Sequence, residues 1–293
     1  MHHHKSTQFR YVLFLLLALP LCLFAQENQN PAFELPRTEV IGIQDTGTKR
    51  SYELHVQLPL NYSSDKKYPV VYMTDSPYTF PITTGAARVP VNLKRMDDVM
   101  FVGISWEKGR EPALSRQRDY TPTASSPGYK DPSGEASKHL EFIRSDVIPY
   151  IEKRYNTDAA NRTYVGNSFG GLFGFYILLR EPTTFKNYII GSPSIWWDNK
   201  YILDLESKTK FNKNLEANVF IAVGAEETIT RDSPKHDMVG DAITFHARLK
   251  ARNIDKLNVE LRVIEHATHA IAFPTTAVQG LWWLFKTDPK VRQ

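Results

Sequence analysis

Gly166-Asn167-Ser168-Phe169-Gly170-Gly171 is the stretch of sequence that decides the fold. It follows a short β-type run at residues 162–165 and precedes an apolar helical stretch at residues 172–179. A Gly-x-Ser-x-Gly pattern at a strand-to-helix junction is typical of the nucleophile elbow, a tight turn that lifts a serine side chain clear of a sheet. Glycine two residues before and two after the serine removes Cβ atoms that would clash in such a turn. The pattern therefore predicts that Ser168 is a nucleophile.

Strand and helix patterns alternate on both sides of this elbow. Alternating polarity at residues 39–43 and 52–58 indicates half-exposed antiparallel strands. Continuous apolar runs indicate strands buried on both faces, and they lie at 69–73, 98–104, 185–190 and 217–223. A further alternating run at 257–264 predicts the last strand, and helical spacing covers 136–155, 237–249 and 275–285. Residues 106–132 are polar, rich in proline and serine and without a clear period, which predicts a long loop.

The alternation predicts an α/β-hydrolase fold, with a mostly parallel central sheet, helices on both faces and antiparallel N-terminal strands. We divide the chain into a signal peptide at 1–25, a polar tether at 26–36 and one α/β domain at 37–293. Residues 1–25 begin with the basic Lys5 and Arg10 and continue into an apolar run that ends at a small residue. This pattern predicts export to the periplasm or out of the cell, with an uncleaved N-terminal anchor as the alternative.

Composition narrows the classes of function. The single cysteine, Cys22, lies in the predicted signal and fits a lipoprotein attachment box only loosely, because Pro20 and Leu21 stand where small residues are needed. The mature chain would therefore contain no disulfide and no cysteine ligand for a metal. The net charge is +4, of which Lys5 and Arg10 supply two, and no basic helix or stripe is present, so we expect no nucleic-acid partner.

A serine hydroxyl needs a base to take its proton and an acid to orient that base. In α/β-hydrolases the chain order is serine, acid, histidine, with the last two after later strands. Glu226 and Glu227 follow the apolar strand at 217–223, and His266 and His269 follow the last strand. The residues alone leave both pairs open.

Several motifs together resemble the Esterase D and enterochelin-esterase family. They lie at residues 68–75, 118–122, 166–171, 192–198, 223–227 and 280–285. The Ser-Pro-Ser-x-Trp-Trp pattern at 192–197 is the most specific of them, since tryptophan pairs are rare by chance. The matching pieces run from about residue 50 to residue 285, which is nearly the whole mature chain.

The resemblance implies a role for each member of a catalytic triad. Ser168 matches the nucleophile, and Glu227, the third residue after the glycine that ends its strand, matches the acid. His269 matches the histidine by its distance from the Gly-Leu of the last helix, although Ala270-Ile271 follows it where the family has Gly-Ser. Glu226 and His266 are the alternatives for the acid and the base.

The remaining site residues follow from the same resemblance. The backbone N–H of Phe169 is expected to be one oxyanion donor. The second donor is expected from the loop after residue 73, where Pro77 has no N–H, so Ser76 or Tyr78 must supply it. Trp196 and Trp197 follow a strand end near the expected mouth of the site, so one of the two is expected to contact substrate, with packing in the core as the alternative. Arg118 is a further candidate for a substrate contact, with an ion pair to the neighbouring aspartate as its structural alternative.

The sequence therefore predicts an exported serine esterase that acts on a small-molecule carboxylic ester without a cofactor or metal. A siderophore lactone is one substrate that the resemblance implies. The alternatives are a feruloyl or acetyl ester of a carbohydrate, acyl transfer in place of hydrolysis, or a non-catalytic binding protein with the same fold. We expect no stable membrane span after cleavage of the signal, and the sequence leaves the oligomeric state open.

Overall fold

The computed structural model of the chain describes residues 32–124, 132–229 and 236–287. The chain divides into two compact units, residues 1–34 and residues 35–293. The predicted signal peptide and most of the predicted tether lie outside the described residues. Every helix and strand in the described ranges belongs to the second unit, and none of these helices is long and apolar enough to cross a membrane.

Within the described residues, eight strands form one sheet. They are β1 (Thr38–Gln44), β2 (Ser51–Gln57), β3 (Tyr68–Met73), β4 (Met100–Ile104), β5 (Thr157–Asn167), β6 (Asn187–Gly191), β7 (Ala217–Gly224) and β8 (Leu257–Ile264). Their order across the sheet is β1-β2-β4-β3-β5-β6-β7-β8. β2 is antiparallel to both of its neighbours, and every other pair is parallel. The predicted fold class is confirmed, including the antiparallel strands at the N-terminal end.

Helices cover both faces of the sheet. They are α1 (Ser76–Asn92), α2 (Pro112–Tyr120), α3 (Ala136–Phe142), α4 (Ile148–Arg154), α5 (Phe169–Arg180), α6 (Trp197–Lys208), α7 (Met238–Ala251) and α8 (Ala272–Phe285). A π-helical segment, Ile143–Val147, joins α3 to α4. Phe80 of α1 and Phe273 of α8 belong to the core cluster on one face, whereas Phe173 of α5 and Phe245 of α7 belong to the cluster on the other. The sheet is therefore buried between two helical layers.

Three helices, α1, α2 and α6, were not predicted from the sequence. α2 lies inside the segment that was predicted to be a continuous loop, so that prediction is wrong for Pro112–Tyr120; residues 125–131 lie outside the described residues. α1 was not predicted, because it contains Pro81 and Pro90, which normally argue against a helix interior. The core of the sheet overrides this preference, since Phe80 and Ala87 of α1 are buried.

An asparagine ladder crosses four neighbouring strands near their amino ends. The side-chain amide of Asn187 donates to Asn161, Asn218 donates to Asn187, and Asn258 donates to Asn218, each at 2.8 Å. Asn187 also donates to Thr163 at 3.2 Å and is 3% exposed. The ladder therefore gives each of these side-chain amides a hydrogen-bond partner. It lies near the amino ends of the strands, whereas the predicted catalytic residues follow their carboxyl ends.

Replacement of Asn187 with alanine is expected to destabilise the protein by about 2 kcal/mol, because it leaves the buried Thr163 hydroxyl and the half-buried amides of Asn161 and Asn218 without this partner. Asn258→Ala is the matched control, since Asn258 is exposed and ends the same ladder. We expect it to cost less than about 1 kcal/mol. Urea unfolding of both variants measures the difference, and equal losses would show that the ladder does not stabilise the sheet through its buried member.

His139 of α3 lies in an aromatic cage. Its ring centroid is 5.4–5.6 Å from those of Tyr52, Tyr120, Phe142 and Phe173, and neither ring nitrogen has a hydrogen-bond partner among the described residues. Burial lowers the pKa of His139 below its usual value. The folded protein therefore holds this imidazole neutral at a pH where the unfolded chain would protonate it.

His139→Phe is expected to stabilise the protein most at acidic pH. A lowered pKa in the folded state means that the unfolded chain binds the extra proton, so stability falls as the pH drops below about 6.5. Phenylalanine removes both this loss and the unpaired ring nitrogens. Unfolding free energies at pH 5 and pH 8 test the prediction, which fails if the gain is no larger at pH 5.

Candidate active site

The elbow has the strained geometry that its sequence predicts. Ser168 lies between β5 and α5 with φ 60° and ψ −118°, a positive φ that a residue with a side chain rarely adopts. A Cβ on Gly166 would lie 2.6 Å from the Tyr164 hydroxyl, and a Cβ on Gly170 would lie 2.7 Å from Thr74 Oγ1. Both glycines are therefore required by close approach, and the turn places Ser168 at the amino end of α5.

Glu227 and His269 form the most direct contact of the site. His269 Nδ1 lies 2.6 Å from Glu227 Oε2, with the glutamate side chain 2% exposed and the histidine side chain 45% exposed. The other carboxylate oxygen, Oε1, accepts hydrogen bonds from Ser192 Oγ at 2.6 Å and from the Gly224 N–H at 2.7 Å. These two donors fix the carboxylate so that Oε2 faces the histidine.

The alternatives for the acid and the base are placed differently. Glu226 is exposed and lines the same cavity as its neighbour, and its backbone N–H donates to Ala267 O at 3.0 Å. His266 is exposed with φ 58°, and it is absent from the lining of that cavity. Of the two candidate pairs, the structure therefore brings Glu227 and His269 into contact with each other.

The hydroxyl of Ser168 bonds to a second serine. Ser168 Oγ lies 3.3 Å from Ser194 Oγ, and the Ser194 N–H donates to Ser168 O at 3.1 Å. Ser192 and Ser194 belong to the Ser-Pro-Ser turn after β6, so one serine of this turn bonds to the glutamate and the other to Ser168. Ser192 has φ 39° and is fully buried, which shows that the surrounding structure holds it in a strained conformation.

One cavity contains the predicted serine, acid and histidine. Its volume is about 630 Å³, and its lining comprises Ser168, Ser194, Trp196, Ala225, Glu226, Glu227, Thr228, His236, Met238, Thr268 and His269. Most of these residues follow the carboxyl ends of β5, β6, β7 and β8. Ligands of α/β sheets bind at this edge, because parallel strands bring their carboxyl ends together.

The loop after β3 is held against the elbow by an arginine. Asp75 is fully buried with φ 57°, and it accepts two hydrogen bonds from Arg116 at 3.1 Å and one from the Trp106 indole at 2.6 Å. The Arg116 guanidinium also lies 5.3 Å from the ring centroid of Phe169. Arg116 thus links this loop to the residue that follows Ser168.

The three predicted oxyanion donors differ in the hydrogen bonds that they already make. Phe169 is the first residue of α5, where a backbone N–H has no carbonyl of its own helix to bond. The Tyr78 N–H already donates to Asp75 O at 3.1 Å. Ser76 is buried, with its hydroxyl 3.1 Å from His55 Nδ1, and neither Ser76 nor Tyr78 is among the residues that line the cavity. The backbone N–H of Tyr78 is therefore already bonded within the turn that begins α1.

Two of the predicted substrate contacts lie away from the cavity. Trp196 lines it, whereas Trp197 is 3% exposed and directs its indole N–H to Thr123, at 3.2 Å from Oγ1. Arg118 is 2% exposed and pairs with Asp119 through two hydrogen bonds of 2.7 and 2.8 Å. The structure supports the ion-pair alternative for Arg118, because a buried guanidinium needs a buried counter-charge.

The sequence did not predict the contacts that Ser192 and Ser194 make with Glu227 and Ser168, or the position of His236 in the cavity lining. Both serines were noted only as part of a family motif, although their position directly after a buried strand places them at the same sheet edge as Ser168. That position was the available signal. His236 follows no strand, and it reaches the cavity from the segment that precedes α7, which no local pattern indicates.

Comparisons with known proteins agree with this fold. The family described as "Putative esterase" matches residues 46–270. The ferri-bacillibactin esterase BesA of Bacillus subtilis is 30% identical over 272 residues, which cover 88% of this chain and 92% of that protein. The crystal structure of the BES protein from Bacillus cereus has a TM-score of 0.76 at 28% identity and covers 88% of this chain and 98% of its own.

A more distant structure shares the fold. The siderophore hydrolase EstA from Aspergillus nidulans has a TM-score of 0.74 at 20% identity, with coverage of 87% of this chain and 98% of that one. The match of the family over most of the chain, together with the BesA relative and the elbow described above, shows that this chain belongs to the esterase family of the enterochelin-esterase type and is a carboxylic ester hydrolase.

Proposed function

We propose that the chain is an exported serine esterase that hydrolyses a siderophore ester through an acyl-serine intermediate. The observation that carries the proposal is the convergence of three side chains: His269 bonds to Glu227 at 2.6 Å, and both line one cavity with Ser168. These residues come from the ends of β5, β7 and β8, far apart in the sequence, and occur in the chain order of an α/β-hydrolase triad.

The mechanism follows from this arrangement. His269 takes the proton of the Ser168 hydroxyl as the oxygen attacks the ester carbonyl, while its Nδ1–H donates to Glu227 Oε2. The oxyanion that forms accepts the Phe169 N–H at the amino end of α5. The proton on His269 then passes to the leaving alcohol, which departs and leaves the acyl-serine. A water molecule, deprotonated by His269, releases the acid and restores Ser168.

The Ser194 contact bears on the first step of this proposal. Ser168 Oγ bonds to Ser194 Oγ at 3.3 Å, so the proposed proton transfer to His269 requires a rotation of the Ser168 side chain. Catalytic hydrogen bonds are often long or poorly aligned without substrate and tighten in the complex.

The substrate class rests on the relatives. BesA carries the name of a ferri-bacillibactin esterase, and two fungal relatives, each 30% identical over part of this chain, are named as siderophore esterases. A side-by-side assay with a siderophore lactone and a feruloyl ester of arabinoxylan separates this proposal from a carbohydrate esterase. Faster hydrolysis of the feruloyl ester would contradict the siderophore assignment and leave the serine mechanism in place.

Ser168→Ala is expected to lower kcat by about 10⁴- to 10⁶-fold on any ester that the enzyme accepts, because the proposed acyl intermediate forms on the Ser168 oxygen. Circular dichroism should show an unchanged fold. Ser207→Ala is the matched control, since it removes an exposed serine hydroxyl on α6 that does not line the cavity, and it should keep the wild-type kcat. Full activity in the Ser168 variant would contradict the proposal.

Export is supported by the sequence of residues 1–25. The measurement is the intact mass of the protein recovered from the periplasm or medium, which should correspond to loss of about the first 25 residues. Recovery of the full-length chain from the cytoplasm alone would contradict export without affecting the proposed chemistry.

A further inference from the structure

Helices α1 and α8 lie side by side on one face of the sheet. Near their amino ends, the rings of Tyr78 and Phe273 meet edge to face, with centroids 5.9 Å apart. Beyond their carboxyl ends, Met96 and Lys286 form an antiparallel β-bridge. The two helices are therefore joined at both ends, and their outer sides form one surface.

Large apolar side chains are exposed on this surface. Val89 and Leu93 lie one turn apart at the end of α1, and Leu93 is 66% exposed. Val89 comes about three helical turns after Tyr78, so both lie on the side of α1 that faces α8. Val278 and Trp282 lie one turn apart on α8, and Trp282 is 43% exposed. Exposed apolar residues are normally scattered singly, and a cluster of them marks an interaction site.

The same surface carries positive charge without negative charge. Neither α1 nor α8 contains an aspartate or a glutamate. Exposed cations lie beside the apolar residues, toward the carboxyl ends of the two helices; they are Arg88, Lys94, Arg95 and Lys286. No carboxylate of the described residues forms an ion pair with any of them. The next acids along the chain, Asp97 and Asp98, are half-buried, and Asp98 bonds to Lys66 at 3.1 Å. We call the four apolar residues and the four cations the α1–α8 face.

The α1–α8 face lies away from the cavity. Met96 precedes β4, so the bridge between Met96 and Lys286 lies beside the amino ends of the strands. The cavity that contains Ser168 and His269 lies at the carboxyl ends of the strands. The cations are therefore at the opposite edge of the sheet from the proposed catalytic residues, and the proposed mechanism does not use them.

We propose that the α1–α8 face docks onto an anionic lipid bilayer. Such a bilayer presents negative charge and hydrocarbon at one surface, and these complement the cations and the apolar side chains of the face. Tryptophan and leucine side chains enter the boundary between headgroups and acyl chains, while lysine and arginine stay at the charged headgroups. The inference goes beyond the proposed function, because it concerns where the esterase is held and not the ester that it cleaves.

A polarity-sensitive fluorescent probe tests the contact at single positions. Leu93→Cys carries the probe on the face, and Ile243→Cys carries it on α7, in the opposite helical layer, where Ile243 is 47% exposed. Cys22, the only cysteine of the chain, is replaced with serine in both proteins. Vesicles of equal parts phosphatidylcholine and phosphatidylglycerol should shift the emission to shorter wavelength at position 93 and leave it unchanged at position 243. No shift at position 93, or an equal shift at both positions, would overturn the proposal.

Two triple variants that lose the same net charge test the role of the cations. In the first, glutamine replaces Arg88, Lys94 and Lys286; in the second, it replaces the exposed Lys208, Lys213 and Lys250, which lie outside the face. The vesicle concentration that gives half of the shift at position 93 measures binding. At about 0.05 M salt the first variant should bind about 10- to 100-fold more weakly than the parent, and the second less than about 3-fold more weakly. Equal losses would show that net charge holds the protein, and would overturn the proposal.

A second copy of the chain is the other occupant that this apolar cluster could take. Sedimentation velocity without vesicles is expected to give the same molecular mass for the wild type and for the double variant Leu93→Ser, Trp282→Ser. A larger wild-type mass that the double variant loses would overturn the proposal, because protein would then cover the face. None of these measurements depends on turnover of an ester, so the proposal can fail while the proposed function stands, and the reverse.

Discussion

Replacement of Glu227 with glutamine is expected to lower kcat about 10⁴-fold with little change in KM, as removal of the charge of a triad acid does. Glu227 Oε2 lies 2.6 Å from His269 Nδ1, and in the proposed mechanism it accepts the Nδ1–H and so fixes the tautomer whose other nitrogen takes the Ser168 proton. A glutamine in the same place can present an N–H to Nδ1 and select the wrong tautomer. It also removes the negative charge that stabilises the imidazolium. Steady-state kinetics on a single ester measure the loss.

The neighbouring glutamate supplies the matched control for this prediction. Glu226→Gln makes the same chemical change one residue away, on an exposed side chain, whereas the carboxylate that bonds to His269 belongs to Glu227. We expect Glu226→Gln to change kcat by less than about 10-fold, because Glu226 is an exposed charge at the rim of the cavity. A larger loss in Glu226→Gln than in Glu227→Gln would show that the acid has been assigned to the wrong residue.

Arg118→Met is expected to destabilise the protein by about 3–5 kcal/mol, because it leaves the buried carboxylate of Asp119 without its main counter-charge. Asp119 is 2% exposed and also accepts hydrogen bonds from Tyr52 at 3.0 Å and Ser115 at 3.2 Å. Arg118 additionally pairs with Glu107 at 2.5 Å. The network therefore joins β2 to α2 and to the segment before α2. Urea unfolding measures the loss of free energy of unfolding in Arg118→Met.

Two comparisons identify the cause of that destabilisation. The double variant Arg118→Met, Asp119→Leu removes the orphaned charge and is expected to recover part of the stability. Lys66→Met breaks the exposed pair between Lys66 and Asp98 and is expected to cost less than about 1 kcal/mol. If Arg118→Met were no more destabilising than Lys66→Met, the network would not anchor this part of the fold.

The sequence was most informative where one local pattern determines the geometry. The elbow requires glycine at positions 166 and 170 because their neighbours leave no room for a Cβ. The acid and the histidine could be placed near Ser168 because each follows a predicted strand, and the carboxyl ends of parallel strands meet at one edge. The choice of Glu227 and His269 over their neighbours came from the family resemblance, not from any local pattern.

Features that depend on contacts between distant segments could not be predicted in the same way. Arg116 and Arg118 are two residues apart on α2, so they lie on different sides of the helix, and the sequence does not say which side faces the elbow. Arg116 bonds to Asp75 beside the elbow, whereas Arg118 points into the buried network. The stack of Trp196 on His236 joins positions 40 residues apart and has no local signature.

In the proposed function, Ser168 is activated by its neighbours in the folded protein. The most direct measurement is reaction with a fluorophosphonate, followed by peptide mass spectrometry, in the wild type and in His269→Ala. We expect one adduct, on Ser168, that forms rapidly in the wild type and far more slowly in His269→Ala. A folded wild-type protein that gives no adduct, or an adduct on another residue, would contradict it.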